Sequence, residues 1–440
     1  MSTEKKKSNV VAIVTMCFIF AMISFVTNMA APFGNIWGYK YEWAGMMGNL
    51  MNFAAYLFMG IPAGKMLMKI GYKKTTLVAL AVGFIGIVIQ YLSSLLGAGV
   101  EVFSYKGQPV ELNLIIYLLG AFICGFCVCI LNTVVNPMLN ILGGGGNRGN
   151  QLIQTGGTLN SLTGTLTPLL VGALIGTLSP STSMKDVTPL LFIAMGVFAV
   201  AFIIISMVKI PEPAKERNAT TYEHSAWKFR HFVLGAIAIF FYVGIEIGIP
   251  AQVNFFLSDA SAKGAGIAVN GAAIGGAIAA VYWLLMMVGR AASTAISGKV
   301  STRTQMIAVS TVAIILILIA IFIPKDIRVN MPGYSAADGF GMFQVPLSCL
   351  FLVLCGLCTS VMWGAIYNLA VEGLGKYTEQ ASGIFMMLVV GGGVMPFIQN
   401  LIAKSAGYMV SYWLVIAMLA YLLYYALIGC KNVNKDIPVE

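Results

Sequence analysis

Amide side chains and one carboxylate, set inside long apolar runs, are the groups in this chain best placed to do chemistry. Glu246 falls near the middle of FFYVGIEIGIPAQVNFF (240–256). A carboxylate at the centre of such a run costs about 2.5–3.5 kcal/mol on insertion scales, so it is rarely accidental: it either cycles protons or bonds a neighbouring helix as a structural acid. Around it in the sequence stand Thr27, Asn28, Asn49, Asn52, Asn132, Asn136, Gln154, Asn160, Gln252, Asn254, Trp363, Tyr367, Asn368, Gln399 and Asn400, all within apolar segments. Asn49 and Asn52 are three residues apart, and Asn132 and Asn136 four apart, so each pair shares a helix face. Amides donate and accept, and aromatic rings offer apolar faces, a combination suited to a neutral, hydroxyl-rich ligand. The candidate ligand contacts are therefore Asn28, Asn49, Asn132, Asn136, Gln154, Gln252, Asn254, Trp363, Tyr367 and Asn368. The competing reading is interhelical hydrogen bonding, worth about 0.6 kcal/mol per bond. Spread over both halves of the chain, the set as a whole favours a polar central cavity. Little other charge falls at that depth, which argues against a strongly ionic ligand.

These groups need a scaffold that a membrane can hold. Of 440 residues, 59% are hydrophobic and only 10% charged, with mean hydropathy +0.87. A soluble domain carries roughly 25% charged residues. Twelve apolar spans are predicted, at 10–36, 44–68, 75–97, 113–138, 150–178, 187–209, 228–257, 268–297, 303–323, 345–372, 378–405 and 407–429. In lipid every backbone polar group must be satisfied within its segment, so the spans are helices and the fold class is an all-α integral membrane protein. The N-terminal MSTEKKKSN runs straight into a span too long for a signal peptide.

The net charge of +10 is a topology signal, and no nucleic-acid partner is expected. With the N-terminus inside, 19 of the 26 Lys and Arg residues fall on the cytoplasmic side. That bias predicts both termini in the cytoplasm. The eight cysteines read as small apolar packing residues. Cys124, Cys127 and Cys129 have no histidine or acid nearby to complete a metal site, and the only histidines are His224 and His231. No metal and no cofactor are expected. The runs Gly143–Gly146 and Gly391–Gly393 lack the Lys-Ser/Thr of a phosphate loop and read as close-packing helix residues.

The longest polar interruption separates six spans from six. The chain divides into a cytoplasmic N-terminus (1–9), a first bundle (10–209), a linker (210–227), a second bundle (228–429) and a cytoplasmic tail (430–440). Similar punctuation recurs in each half: GKMLMKIGYKK (64–74) against GRAASTAISGKVSTR (289–303), and NPMLNILGGGGNRGNQ (136–151) against IYNLAVEGLGKYTEQ (366–380). Matched halves suggest parallel repeats around a central cavity. Gly64, Lys69, Gly71, Lys73, Arg290 and Glu372 are expected to form loop or gate contacts, with Arg290 and Glu372 as ion-pair residues at span ends.

GKMLMKIGYKK resembles the loop signature of the major facilitator superfamily, with Met68 near the place of its usual acid. LNTVVNPMLNILG with LNSLTGTLTPLLVG, and in the second half HFVLGAIAIFFYVGIEIGIP, MVGR, AVEGLGKYTEQASG and VVGGGVMPFIQ, resemble the fucose/glucose/galactose permeases. These are the sugar–proton symporters of that superfamily, and the likeness covers nearly the whole chain. It implies twelve helices in two six-helix bundles and transport of a sugar. The Asp of helix 1 and Glu of helix 4 that carry proton coupling in the fucose members align with Asn28 and Asn132. A helix-2 Gln aligns with Asn49. A helix-5 Gln falls on Gly157, with Gln154 one turn earlier as its substitute, and the helix-7 acid is kept as Glu246. Sugar class and fold carry over; the fucose-type proton mechanism does not, because an amide cannot titrate.

The expectation is a monomeric alternating-access carrier of a neutral monosaccharide (a hexose, deoxyhexose or amino-sugar derivative) in a bacterial inner membrane, surrounded by lipid. Coupling stays open between facilitated diffusion, sodium symport, and proton symport through Glu246. An exporter of a non-sugar compound is the alternative. A non-transporting sensor lacks an effector domain, and an enzyme is not expected because no nucleophile–base or metal cluster appears.

Overall fold

The computed structural model describes residues 3–41, 43–175, 181–210, 212, 224–267, 271–335, 339–434 and 436–439, with backbone alone at 3–9, 30–32, 35, 168–175, 272 and 335. Most of the linker predicted over 210–227, the end of predicted span 5 and the start of predicted span 8 lie outside these residues.

Apolar composition and backbone self-satisfaction produce, among the described residues, twelve helical spans, numbered 1–12. They are Thr3–Lys40, the two arms of Met47–Leu95, Leu112–Leu142, Gly146–Ile175, Thr188–Met207, Arg230–Ser258, Gly271–Ile296, Thr302–Phe322, Leu347–Val371, the joined Thr378–Met387 and Gly391–Ala406, and Tyr408–Tyr424. At about 1.5 Å per residue, the 49 residues of Met47–Leu95 cover a bilayer twice. The arms join at Gly71, whose φ of +82° is a conformation that favours glycine. Span 11 is interrupted by a single 3-10 turn at Leu388–Val390. The glycines that follow let it approach span 7, since a Cβ on Gly391 would collide with the Phe240 carbonyl.

The two halves repeat one packing scheme. Span 1 packs on span 5 as span 7 packs on span 11, and span 1 on span 4 as span 7 on span 10. Between the halves, span 2 packs on span 11 and span 8 on span 5, which are equivalent pairs under exchange of the halves. All eight cysteines are free and buried.

Two stretches depart from the all-helical expectation. Glu101–Tyr105 (β1) pairs antiparallel with Gln108–Glu111 (β2), and Arg328–Ser335 (β3) with Gly339–Pro346 (β4). The first hairpin turns through Lys106 and Gly107, at φ of 49° and 75°, as a tight two-residue turn requires. The hairpins link spans 3 to 4 and 9 to 10, again equivalent positions. The first is tied to the end of span 1. Lys40 Nζ lies 2.6 Å from Glu111, and the Tyr41 hydroxyl accepts from Glu111 N and donates to the Pro109 carbonyl, each at 3.1 Å. Partial burial opposes the charge on Glu111, but hydrogen bonds from Lys40 and Gly99 N–H outweigh it and hold the carboxyl below its ordinary value.

Candidate functional site

A cavity of about 1420 Å³ lies between the halves. Its mouth, toward the hairpin face, is lined by Tyr39, Trp43, Tyr105, Lys106, Asp259, Lys404 and Tyr408. Its deeper wall includes Asn28, Asn49, Asn132, Gln154, Asn254, Trp363, Glu246 and Arg290. Six of the ten predicted ligand contacts thus meet in one space, drawn from spans 1, 2, 4, 5, 7 and 10.

Four of these are fixed by the following bonds. Asn28 donates to the Ser24 carbonyl (2.8 Å) and hydroxyl (3.0 Å). Asn132 donates to the Tyr56 hydroxyl at 3.0 Å. Asn254 Oδ1 accepts from Ser258 at 3.3 Å. Trp363 Nε1 donates to Asn136 Oδ1 at 3.0 Å, across the halves, and its ring meets Tyr242 and Phe385 edge-on. Ser24, Phe20, Phe53, Tyr56, Trp283, Asn160 and Asn400 also line the cavity.

The remaining four lie off the wall. Asn136 is fully buried behind it, bonded to the Asn132 carbonyl and to Trp363. Gln252 reaches Asn400 at 3.4 Å. Tyr367 is buried against Phe385. Asn368 accepts from Asn140 at 2.9 Å and donates to Thr302 at 3.3 Å.

Asn140–Asn368 belongs to a seal between the halves on the face that carries the termini. Asn150 donates to Ser297 (3.2 Å), Gln151 to the Thr294 carbonyl (3.0 Å) and Gln154 to the Val361 carbonyl (2.8 Å). Beside it, Gly60 and Gly64 of span 2 meet Gly383 of span 11 backbone to backbone. A Cβ on Gly60 would lie 2.5 Å from Met387 N, and one on Gly64 3.0 Å from Gly383 Cα. The cavity is therefore open toward the hairpins and shut toward the termini.

Arg290 and Glu372, each expected as an ion-pair residue at a span end, are placed differently by the structure. Glu372 is exposed at the terminus-side end of span 10, where its carbonyl meets the His231 ring at 3.0 Å. Arg290 is 6% exposed and sits almost two turns inside span 8, which runs on to Ile296. Its Nη2 meets Glu246 Oε1 at 3.1 Å. Its Nη1 donates to the Gly157 carbonyl (3.0 Å), Ser161 (2.8 Å) and Asn160 Oδ1 (3.3 Å) of the opposite half. A side chain at Gly157 would press on Arg290 Cδ at 3.2 Å, so the glycine makes room for the arginine. Charge therefore does reach the cavity floor, as a balanced pair.

In the loop signature, Glu212 supplies a carboxylate. It accepts from Tyr72 N at 2.7 Å and Lys73 N at 3.0 Å, capping the start of span 3 where the helix end favours negative charge. Lys73 Nζ donates to the Ser206 carbonyl at 2.7 Å, while Lys69 is exposed.

The profile of the Major Facilitator Superfamily matches residues 11–395. The "Glucose/galactose transporter" of Brucella abortus is 29% identical, over 98% of this chain and 97% of its own. The "L-fucose-proton symporter" of Escherichia coli is 21% identical over 92% of this chain and 89% of its own. A crystal structure of the E. coli fucose:proton symporter superposes with a TM-score of 0.73 at 17% identity, covering 95% of this chain and 98% of that one. At that identity the likeness speaks for the fold.

Proposed function

Because the chain belongs to the Major Facilitator Superfamily, we propose that it carries a neutral monosaccharide across the bacterial inner membrane by alternating access, with both termini in the cytoplasm. The observation that carries this reading is one cavity shared by both halves. Amides and aromatic rings from both halves face one space, open at the hairpin face and shut by a seal at the other. Amides match sugar hydroxyls as donors and acceptors, and ring faces of Trp363, Phe53 and Tyr56 match the apolar face of a pyranose. With the termini inside, the state described is open to the outside. Releasing the seal while closing the mouth would present the same residues to the cytoplasm. The relatives' names support the sugar class.

Neither Asn28 nor Asn132 can take up a proton, so spans 1 and 4 do not couple sugar to protons here. Glu246 is engaged by Arg290, which supports facilitated or sodium-linked transport. Counterflow of labelled monosaccharides in proteoliposomes tests the carrier reading. Imposed proton or sodium gradients test the coupling. Counterflow without gradient-driven accumulation is the result expected of a facilitator. Absence of counterflow for every hexose and deoxyhexose overturns the carrier reading. If a proton gradient drives uptake, and Glu246→Gln abolishes that uptake yet keeps counterflow, Glu246 is a coupling acid instead.

A further inference from the structure

We propose that the Glu246–Arg290 pair sets the charge of the sugar that the site accepts. By holding the cavity floor neutral, Glu246 excludes anionic sugars that Arg290 would otherwise recruit. The proposal rests on the carrier reading above and adds a selectivity determinant to it.

The charged residues lining the cavity, among those described, are Lys106, Glu246, Asp259, Arg290 and Lys404. Lys106, Asp259 and Lys404 lie at the mouth, where water screens them. Glu246 and Arg290 lie on the floor, 9% and 6% exposed. The other partners of Arg290 are uncharged: two carbonyls, a hydroxyl and an amide. Glu246 is thus its one counter-charge among the described residues. In a poorly hydrated floor a charge without a counter-charge is strongly unfavourable, so any ligand group that supplies one gains disproportionately.

Two isosteric exchanges shift the balance in opposite directions. Glu246→Gln keeps a hydrogen-bond acceptor facing Arg290 but leaves the floor with one positive charge. A sugar carboxylate, as in a hexuronate, can then supply the missing counter-charge. Asn160→Asp places a second carboxylate where Asn160 Oδ1 already meets Nη1 at 3.3 Å, leaving the floor with one negative charge. An ammonium group, as in an amino sugar, is then favoured.

The test is competition in reconstituted full-length protein. Labelled D-glucose counterflow is challenged with unlabelled D-glucose, D-glucuronate or D-glucosamine, and the inhibition constants are compared as ratios to D-glucose within each variant. Ratios separate charge selectivity from a general loss of affinity, which a merely structural pair would give. We expect the relative affinity for glucuronate to rise at least about ten-fold in Glu246→Gln, and that for glucosamine by about as much in Asn160→Asp. An unchanged glucuronate ratio in folded Glu246→Gln overturns the proposal. Should that variant not fold, an unchanged glucosamine ratio in Asn160→Asp overturns it. If wild type takes neither glucose nor any other neutral hexose or deoxyhexose, the carrier reading falls and the proposal falls with it.

Discussion

Asn132 is where one side chain most visibly serves both fold and ligand. Its amide nitrogen fixes Tyr56 while the residue lines the cavity. Asn132→Ala removes a buried partner from both, and should weaken monosaccharide binding by about 1–3 kcal/mol, read from equilibrium binding to purified protein. Trp363→Phe keeps a ring for the sugar but deletes the bond to Asn136. It should cost about 1 kcal/mol of thermal stability with a smaller effect on affinity. The sequence led to Glu246 because an acid in mid-span stands out against its neighbours. Arg290 is expected at a span end, yet it lies inside the helix that continues to Ile296, and sequence spacing does not show that Glu246 on the neighbouring span faces it. Tyr56 left no signal within the apolar run AAYLFMG. Asn136 and Asn368 share depth and chemistry with the wall residues, and depth alone does not say which helix faces meet across the two halves.

The elements follow the sequence more closely, because a hydrophobic span is a strong, local signal. The hairpins gave no such signal: RVNMPGYS and GFGMFQVP alternate weakly and carry glycines. Helix contacts made by glycine allow a sharp expectation. Gly60 and Gly64 place the span 2 backbone against Gly383, so Gly64→Val cannot be absorbed without parting spans 2 and 11. A cysteine at Ser297, now fully buried in the seal, should then react with a thiol reagent from the terminus side in Gly64→Val but not in its absence. The first hairpin has its own pH dependence. Since the Glu111 carboxyl is held below its ordinary value of 4.5, its tie to Lys40 stabilises the hairpin fully above that pH. The tie is lost as pH falls through the lowered value. Hydrogen exchange of amides 101–111 should accelerate in that acid window, and Glu111→Gln should remove the pH dependence.

Across the whole molecule, contacts that must break and contacts that must persist are separated by half. The seal joins the first six spans to the second six, so joining Asn140 to Asn368 through a cysteine pair should abolish counterflow and leave sugar binding from the open side intact. Glu246 and Arg290, by contrast, are both in the second half, on spans 7 and 8. They travel together when the halves rock, and a pair of opposite charges that moves as one body carries no net charge through the membrane field. A membrane potential does about 2.3 kcal/mol of work per elementary charge per 100 mV, but almost none on this pair. Reorientation of the empty carrier should therefore be indifferent to voltage, and transient currents on solid-supported membranes should be absent. Glu246→Gln would turn the same motion into the displacement of a positive charge, and the carrier into one that the membrane potential can pull.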